Sequence, residues 1–283
     1  MNVSSWLNDW LLLRSGELRP RSIESYRDLL DRYVLPSIGS IEINALSPAD
    51  IRHLLASVVG SGKTRTAELI YVMLKSALAD LESNPMFRVK RPAHVQKSPD
   101  AWSDDDIRRY LAALDNHRHG IALSLGIMLG LRRGEICGLR WSDIDFSEGV
   151  LHVRNQRQRL ATGEIVDCPP KSATSVRCIP IPSDLLQLLR ARRQIGGYVC
   201  TISPSGLDAA HRALVRSLRL PYIPLHGLRH SMATACIRHG GDMRSLQSIL
   251  GHASYATTAN RYTHPDRDML RRAIDLSIPA CYN

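Results

Sequence analysis

The hydrophobic pattern changes period twice along this chain, and that alone narrows the fold. From Ser4 to Arg140 apolar residues recur at helical spacing. From Val150 to Ile181 they fall into short runs of strand length, and after Pro182 the helical spacing returns. A chain patterned this way is expected to be mainly α-helical with a small antiparallel β-sheet. The longest apolar run, Gly120 to Leu131, has twelve residues. A membrane span needs roughly 20, so no membrane partner is expected.

Residues 1–84 read as four helices, enough to bury a small core of their own. Ser4 to Arg14 carries Trp6, Leu7, Trp10 and Leu11 on one face. Ser22 to Val34 repeats the pattern until Pro36 and Gly39 break it. Ser47-Pro48-Ala49-Asp50 has the residues of a helix start, and Arg65 to Leu81 is the longest helix, ended by Asn84-Pro85. Residues 85–100, with Pro85, Pro92, Pro99 and four basic side chains, are expected to be a basic extended linker. Residues 101–283 form the second domain. Ser103 followed by Asp104, Asp105 and Asp106 opens its first helix. Three strands are expected at Val150–Val153, Glu164–Cys168 and Val176–Ile181. Helices follow, among them Leu207–Leu218, Leu225–His239, Met243–Leu250, Ala256–Tyr262 and Asp266–Leu276.

Composition excludes some function classes. Apolar residues make up 44% and charged residues 23%, ordinary for a globular chain, so general disorder is not expected. No basic leader precedes the first helix, and six scattered cysteines suit neither a zinc module nor a disulfide framework; a cytoplasmic location is expected. Lysine plus arginine number 37 against 27 acidic residues, a net of +10. Most of the excess lies after residue 94. An excess of this size suits a polyanion such as nucleic acid, and equally a basic but ordinary soluble protein.

Two short stretches point to the chemistry of that polyanion. On a helix from Leu225, His226, Arg229 and His230 share one face, opposite Leu228, Met232, Ala235 and Cys236. Such a face presents donors to an anion. A zinc helix would place Glu after the first histidine, where Gly227 stands. In Gly130-Leu131-Arg132-Arg133-Gly134-Glu135, the Glu135 carboxylate is spaced to hold the Arg132 guanidinium, either as pre-organised charge or as an ordinary exposed ion pair. Lys171 is the only lysine after Lys97 and sits between two expected strands, and Leu250-Gly251-His252 precedes Tyr262 by ten residues.

In that order, Arg132, Lys171, His226, Arg229, His252 and Tyr262 resemble the tyrosine recombinase (phage integrase) family. The matching stretches are Gly-Leu-Arg-Arg-Gly-Glu, Pro-Lys-Ser, His-Gly-Leu-Arg-His, Leu-Gly-His-Ala-Ser and Tyr-Thr-His. They span nearly the whole second part. Residues 1–84 resemble, less specifically, the family's helical core-DNA-binding domain. The family pattern selects Arg132 and leaves Arg133 as an exposed or DNA-backbone residue.

The resemblance implies site-specific recombination of double-stranded DNA. Arg132 and Arg229 would clamp the non-bridging phosphate oxygens and Tyr262 would attack phosphorus. His226 would accept its proton, His252 would bond the phosphate or position the others, Lys171 would protonate the leaving 5′-oxygen, and Glu135 would support Arg132. The link formed would be 3′-phosphotyrosyl, with strand exchange through a Holliday junction in a homotetramer. No Gly-rich phosphate loop is present, and the expected reaction uses no metal, cofactor or ATP. Leu270, Ala273, Ile274 and Leu276 form an apolar stripe that the resemblance assigns to a terminal helix docking on a neighbouring protomer, with packing on its own domain as the alternative. An accessory directionality factor is a further expected partner, and no separate arm-binding domain is visible. The same chemistry would serve a type IB topoisomerase, and a catalytically silent DNA-binding regulator is the remaining alternative.

Overall fold

The computed structural model describes residues 1–93, 101–170, 176–251, 271, 274 and 275. It divides into two compact units, Met1–Lys97 and Ser98–Asn283.

The first unit is helical: α1 (Val3–Arg14), α2 (Pro20–Leu29), α3 (Leu35–Ile38), α4 (Pro48–Gly60) and α5 (Thr64–Ala77). Val3, Leu7 and Leu11 of α1 meet Ile51 and Leu54 of α4 and Ile70 and Leu74 of α5 in one core. The Trp6 indole N–H donates to the Ala77 carbonyl at 2.8 Å, tying α1 to the end of α5. Ser47 caps α4 with Asp50 in a reciprocal capping box, as its spacing predicts. Pro36 does not break the helix where expected. A π-helical turn, Leu30–Val34, precedes it, and Pro36 stands in the first turn of α3, where its missing N–H has no helical partner to lose. Helix α5 stops four residues short of the expected Leu81. The expected linker also starts in packed structure: Pro85–Arg88 is a 3₁₀ turn, and Met86 and Val89 are buried in the first unit's core.

The second unit holds α6 (Asp104–Ala112), α7 (Gly120–Leu129), α8 (Arg133–Gly138), α9 (Ser183–Ala191), α10 (Pro204–Ser217), α11 (Leu225–Arg238) and α12 (Met243–Leu250). Every residue of α7 is buried. That explains the twelve-residue apolar run: a helix apolar on all sides lies inside a core. It packs against α11.

Five short strands are present among the described residues, rather than three. β1 (Ile144–Asp145), β2 (Val150–Val153) and β5 (Arg177–Pro180) form an antiparallel sheet in the order β1-β2-β5, with Leu151 opposite Ile179. β3 (Gln156–Arg159) and β4 (Ile165–Cys168) form a separate hairpin, with Gln156 opposite Cys168. β3 has no apolar residue, so no alternation announces it. It is placed by α8: a Cβ on Gly138 would stand 2.8 Å from Gln156 Cα, a backbone approach only glycine permits. The expected helices Ala256–Tyr262 and Asp266–Leu276 lie outside the described residues, save for Arg271, Ile274 and Asp275. Ile274 is only 1% exposed and joins the core cluster of its own unit.

Candidate active site

The site begins where α7 ends. Gly130 terminates that helix in the left-handed region, at φ 62°. Leu131 then turns into the core, and Arg132 stands at the N-cap of α8 with extended backbone. Glu135, at the third position of α8, accepts the Arg132 backbone N–H at 2.9 Å and its Nη1 at 2.7 Å. The carboxylate is 3% exposed, so this is no ordinary surface ion pair.

A second guanidinium shares the same carboxylate. Arg177, the first residue of β5, donates from Nη1 to Oε1 at 3.1 Å and from Nη2 to Oε2 at 2.8 Å. Burial alone would raise the Glu135 pKa. The hydrogen bonds and charge of Arg177, then those of Arg132, overcome this and hold the carboxyl below its ordinary range.

Arg229 completes the group from α11. It is 3% exposed, and its Nη1 donates to the Gly130 carbonyl at 2.7 Å. Burial, then the charges of Arg132 and Arg177, push its pKa down to about 9, which leaves it a cation at neutral pH. The three arginines converge on one helix end. Arg177 Nε donates to the Ile249 carbonyl, Arg229 Nη2 to Leu250 and Arg132 Nη2 to Gly251, the last at 3.0 Å. These carbonyls lie at the C-terminal end of α12, where the helix dipole is negative. Gly251, in the left-handed region, ends it.

One carboxylate thus faces three guanidiniums, and the surplus positive charge is held in fixed directions. Arg132 is the most open of the three, its side chain 34% exposed against 5% for Arg177. His226, one turn before Arg229, keeps an exposed edge. Partial burial, then Arg229, Arg132 and His230, push its pKa down, so the imidazole is neutral at pH 7. A neutral imidazole can accept a proton.

The structure therefore brings together Arg132, Glu135, Arg229 and His226. Lys171, His252 and Tyr262 lie outside the described residues. Arg133 pairs with Asp208 of α10 and remains half exposed. Arg177 is the residue that sequence reasoning missed. Its signal was parity: Ile179, two residues on in β5, points inward, and Arg177 shares its side.

A mainly helical chain with a small antiparallel sheet is the architecture of the tyrosine recombinases, which are DNA strand-transferring enzymes. Residues 102–269 match the profile described as "Phage integrase family", and residues 2–58 match "Phage integrase, N-terminal SAM-like domain". The chain belongs to the phage integrase family. It is 27% identical over 301 residues to the tyrosine recombinase XerC of Halalkalibacterium halodurans, covering 94% of each chain. It is 29% identical over 201 residues to a tyrosine recombinase XerC-like protein of Caldanaerobacter subterraneus; that match covers 60% of this chain and about half (51%) of the relative. A Tn1549 transposon integrase solved with a circular intermediate DNA shares the fold at TM-score 0.79 and 19% identity, over 97% of this chain and 99% of that one.

Proposed function

We propose that this protein is a site-specific recombinase that cuts and rejoins double-stranded DNA through a 3′-phosphotyrosyl link. The observation that carries the reading is the pair Arg132 and Arg229. Two guanidiniums from segments far apart in sequence bond the adjacent carbonyls of Gly251 and Leu250, and the one carboxylate paired with Arg132 does not neutralise both. Such an arrangement is costly unless an anion enters it. The pentacoordinate phosphorus of a transesterification carries extra negative charge on its non-bridging oxygens, which fixed donors stabilise without reorganising.

In this reading Tyr262 attacks the phosphorus, its phenolic proton passing to His226. A phenol of pKa about 10 is only about one part in a thousand ionised at pH 7, a deficit of about 4 kcal/mol. The cation cluster and the imidazole offset it together. Lys171 gives a proton to the departing 5′-oxygen, and His252 bonds the phosphate. The phosphotyrosyl ester conserves the energy of the broken bond, so rejoining needs no ATP. Strands exchange between two duplexes in a homotetramer through a Holliday junction, with an accessory directionality factor as a further partner, and the work is done on cytoplasmic DNA. Ile274, buried in its own unit, belongs to an apolar stripe that passes to a neighbouring protomer on DNA.

The test is selection of covalently captured duplexes from random DNA in the presence of EDTA. A shared site should emerge, and Tyr262→Phe should bind that site without forming a covalent complex. Covalent capture by Tyr262→Phe would reject the nucleophile. Site-independent relaxation of supercoiled plasmid by a monomer would assign a type IB topoisomerase instead.

A further inference from the structure

Arg177 carries a charge that the reaction as written does not use. Its side chain is 5% exposed. All three guanidinium nitrogens donate into the protein, two to the oxygens of Glu135 and Nε to the Ile249 carbonyl at 2.5 Å. A buried ion pair is a poor source of stability compared with apolar packing of the same volume, so its presence asks for another reason.

Geometry supplies one. With Arg132 alone as partner, the Glu135 carboxylate could pivot about that contact. Arg177 meets both oxygens with a planar fork and so fixes the carboxylate plane. The same guanidinium holds α12 by the carbonyl two residues before the one that Arg132 holds. One side chain on β5 therefore sets the carboxylate and holds the helix end that together aim Arg132. We propose that Arg177 is a positioning residue for strand transfer, fixing Glu135 and the end of α12 so that Arg132 is presented to the phosphate, without touching DNA itself. This rests on the reading that Arg132 binds the scissile phosphate.

The experiment uses the full chain and a nicked duplex bearing the selected site. It measures equilibrium binding by gel shift and single-turnover covalent complex formation. Arg177→Lys keeps the charge but loses the fork. It should bind within about threefold of the parent and form the covalent complex about 10–100-fold more slowly, as expected for misplacement on the ångström scale. Glu135→Gln and the double variant Glu135→Gln/Arg177→Met should be slowed alike, within about threefold, because Arg177 acts through Glu135. That pair decides the matter if Arg177→Lys melts prematurely. A parent-like rate for Arg177→Lys would overturn the proposal. So would a loss of binding that matches the loss of rate, or a double variant more than about tenfold slower than Glu135→Gln. Failure of the parent chain to form any covalent complex would instead overturn the functional reading, and this proposal with it.

Discussion

Replacing Glu135 by Gln tests the electrostatic core of the site most directly. The carboxylate accepts four hydrogen bonds, from the Arg132 backbone, Arg132 Nη1, Arg177 Nη1 and Arg177 Nη2, and is almost wholly buried. A glutamine keeps one acceptor but turns an N–H₂ toward a guanidinium, leaving three cations without a counter-charge. Breaking a buried pair this way costs about 3–5 kcal/mol. For a unit of this size each kcal/mol lowers Tm by about 2–4 °C, so scanning calorimetry should place the second unit's transition about 6–20 °C lower. The loss has a defined pH dependence. The folded pKa of Glu135 lies below the unfolded value, so its stabilisation is complete above about pH 4.3 and disappears as pH falls through the folded pKa. The gap between parent and variant should accordingly close in acid. Sulfate, entering between the guanidiniums, should recover about 1.4 kcal/mol at ten times its dissociation constant. A Tm change under about 2 °C at pH 7, or a gap that widens in acid, would refute the argument.

The His226 imidazole, followed by proton NMR and assigned with His226→Gln, should titrate below pH 6.5. In Arg229→Gln its midpoint should rise, because one of the charges that depress it is gone; an unmoved midpoint would show that burial alone sets it. Gly130→Ala should cost about 1–2 kcal/mol in thermal melting for its left-handed backbone, with further displacement of Leu250, whose Cδ2 would stand 2.7 Å from the new Cβ. Ile274→Ala should destabilise the DNA-free protein by about 2–5 kcal/mol, since Ile274 is buried in its own unit. A loss below about 0.5 kcal/mol would mean that the free chain does not hold it there.

Much of this was legible in the order of residues. The apolar run announced α7, the Ser103 and Ser47 caps fixed two helix starts, and the three-residue spacing of Arg132 and Glu135 announced their pairing. The pairing was readable but its setting was not. Arg132 is not inside a helix but at its N-cap, and the second partner of Glu135, Arg177 of β5, is distant in sequence. β3 stayed hidden because Gln156 and Arg157 lie against the bare backbone of Gly138, which leaves no hydrophobic signature. Pro36 misled because its effect depends on the turn that precedes it.

The end of α12 has an implication for how this protein can tolerate change. Three successive peptide oxygens each mate with a different guanidinium. Inserting one residue within that helix would rotate its last turn by roughly 100° and mismatch all three at once. The helix end works as an index mark: a single slip upstream of it misaligns every cation in the cluster.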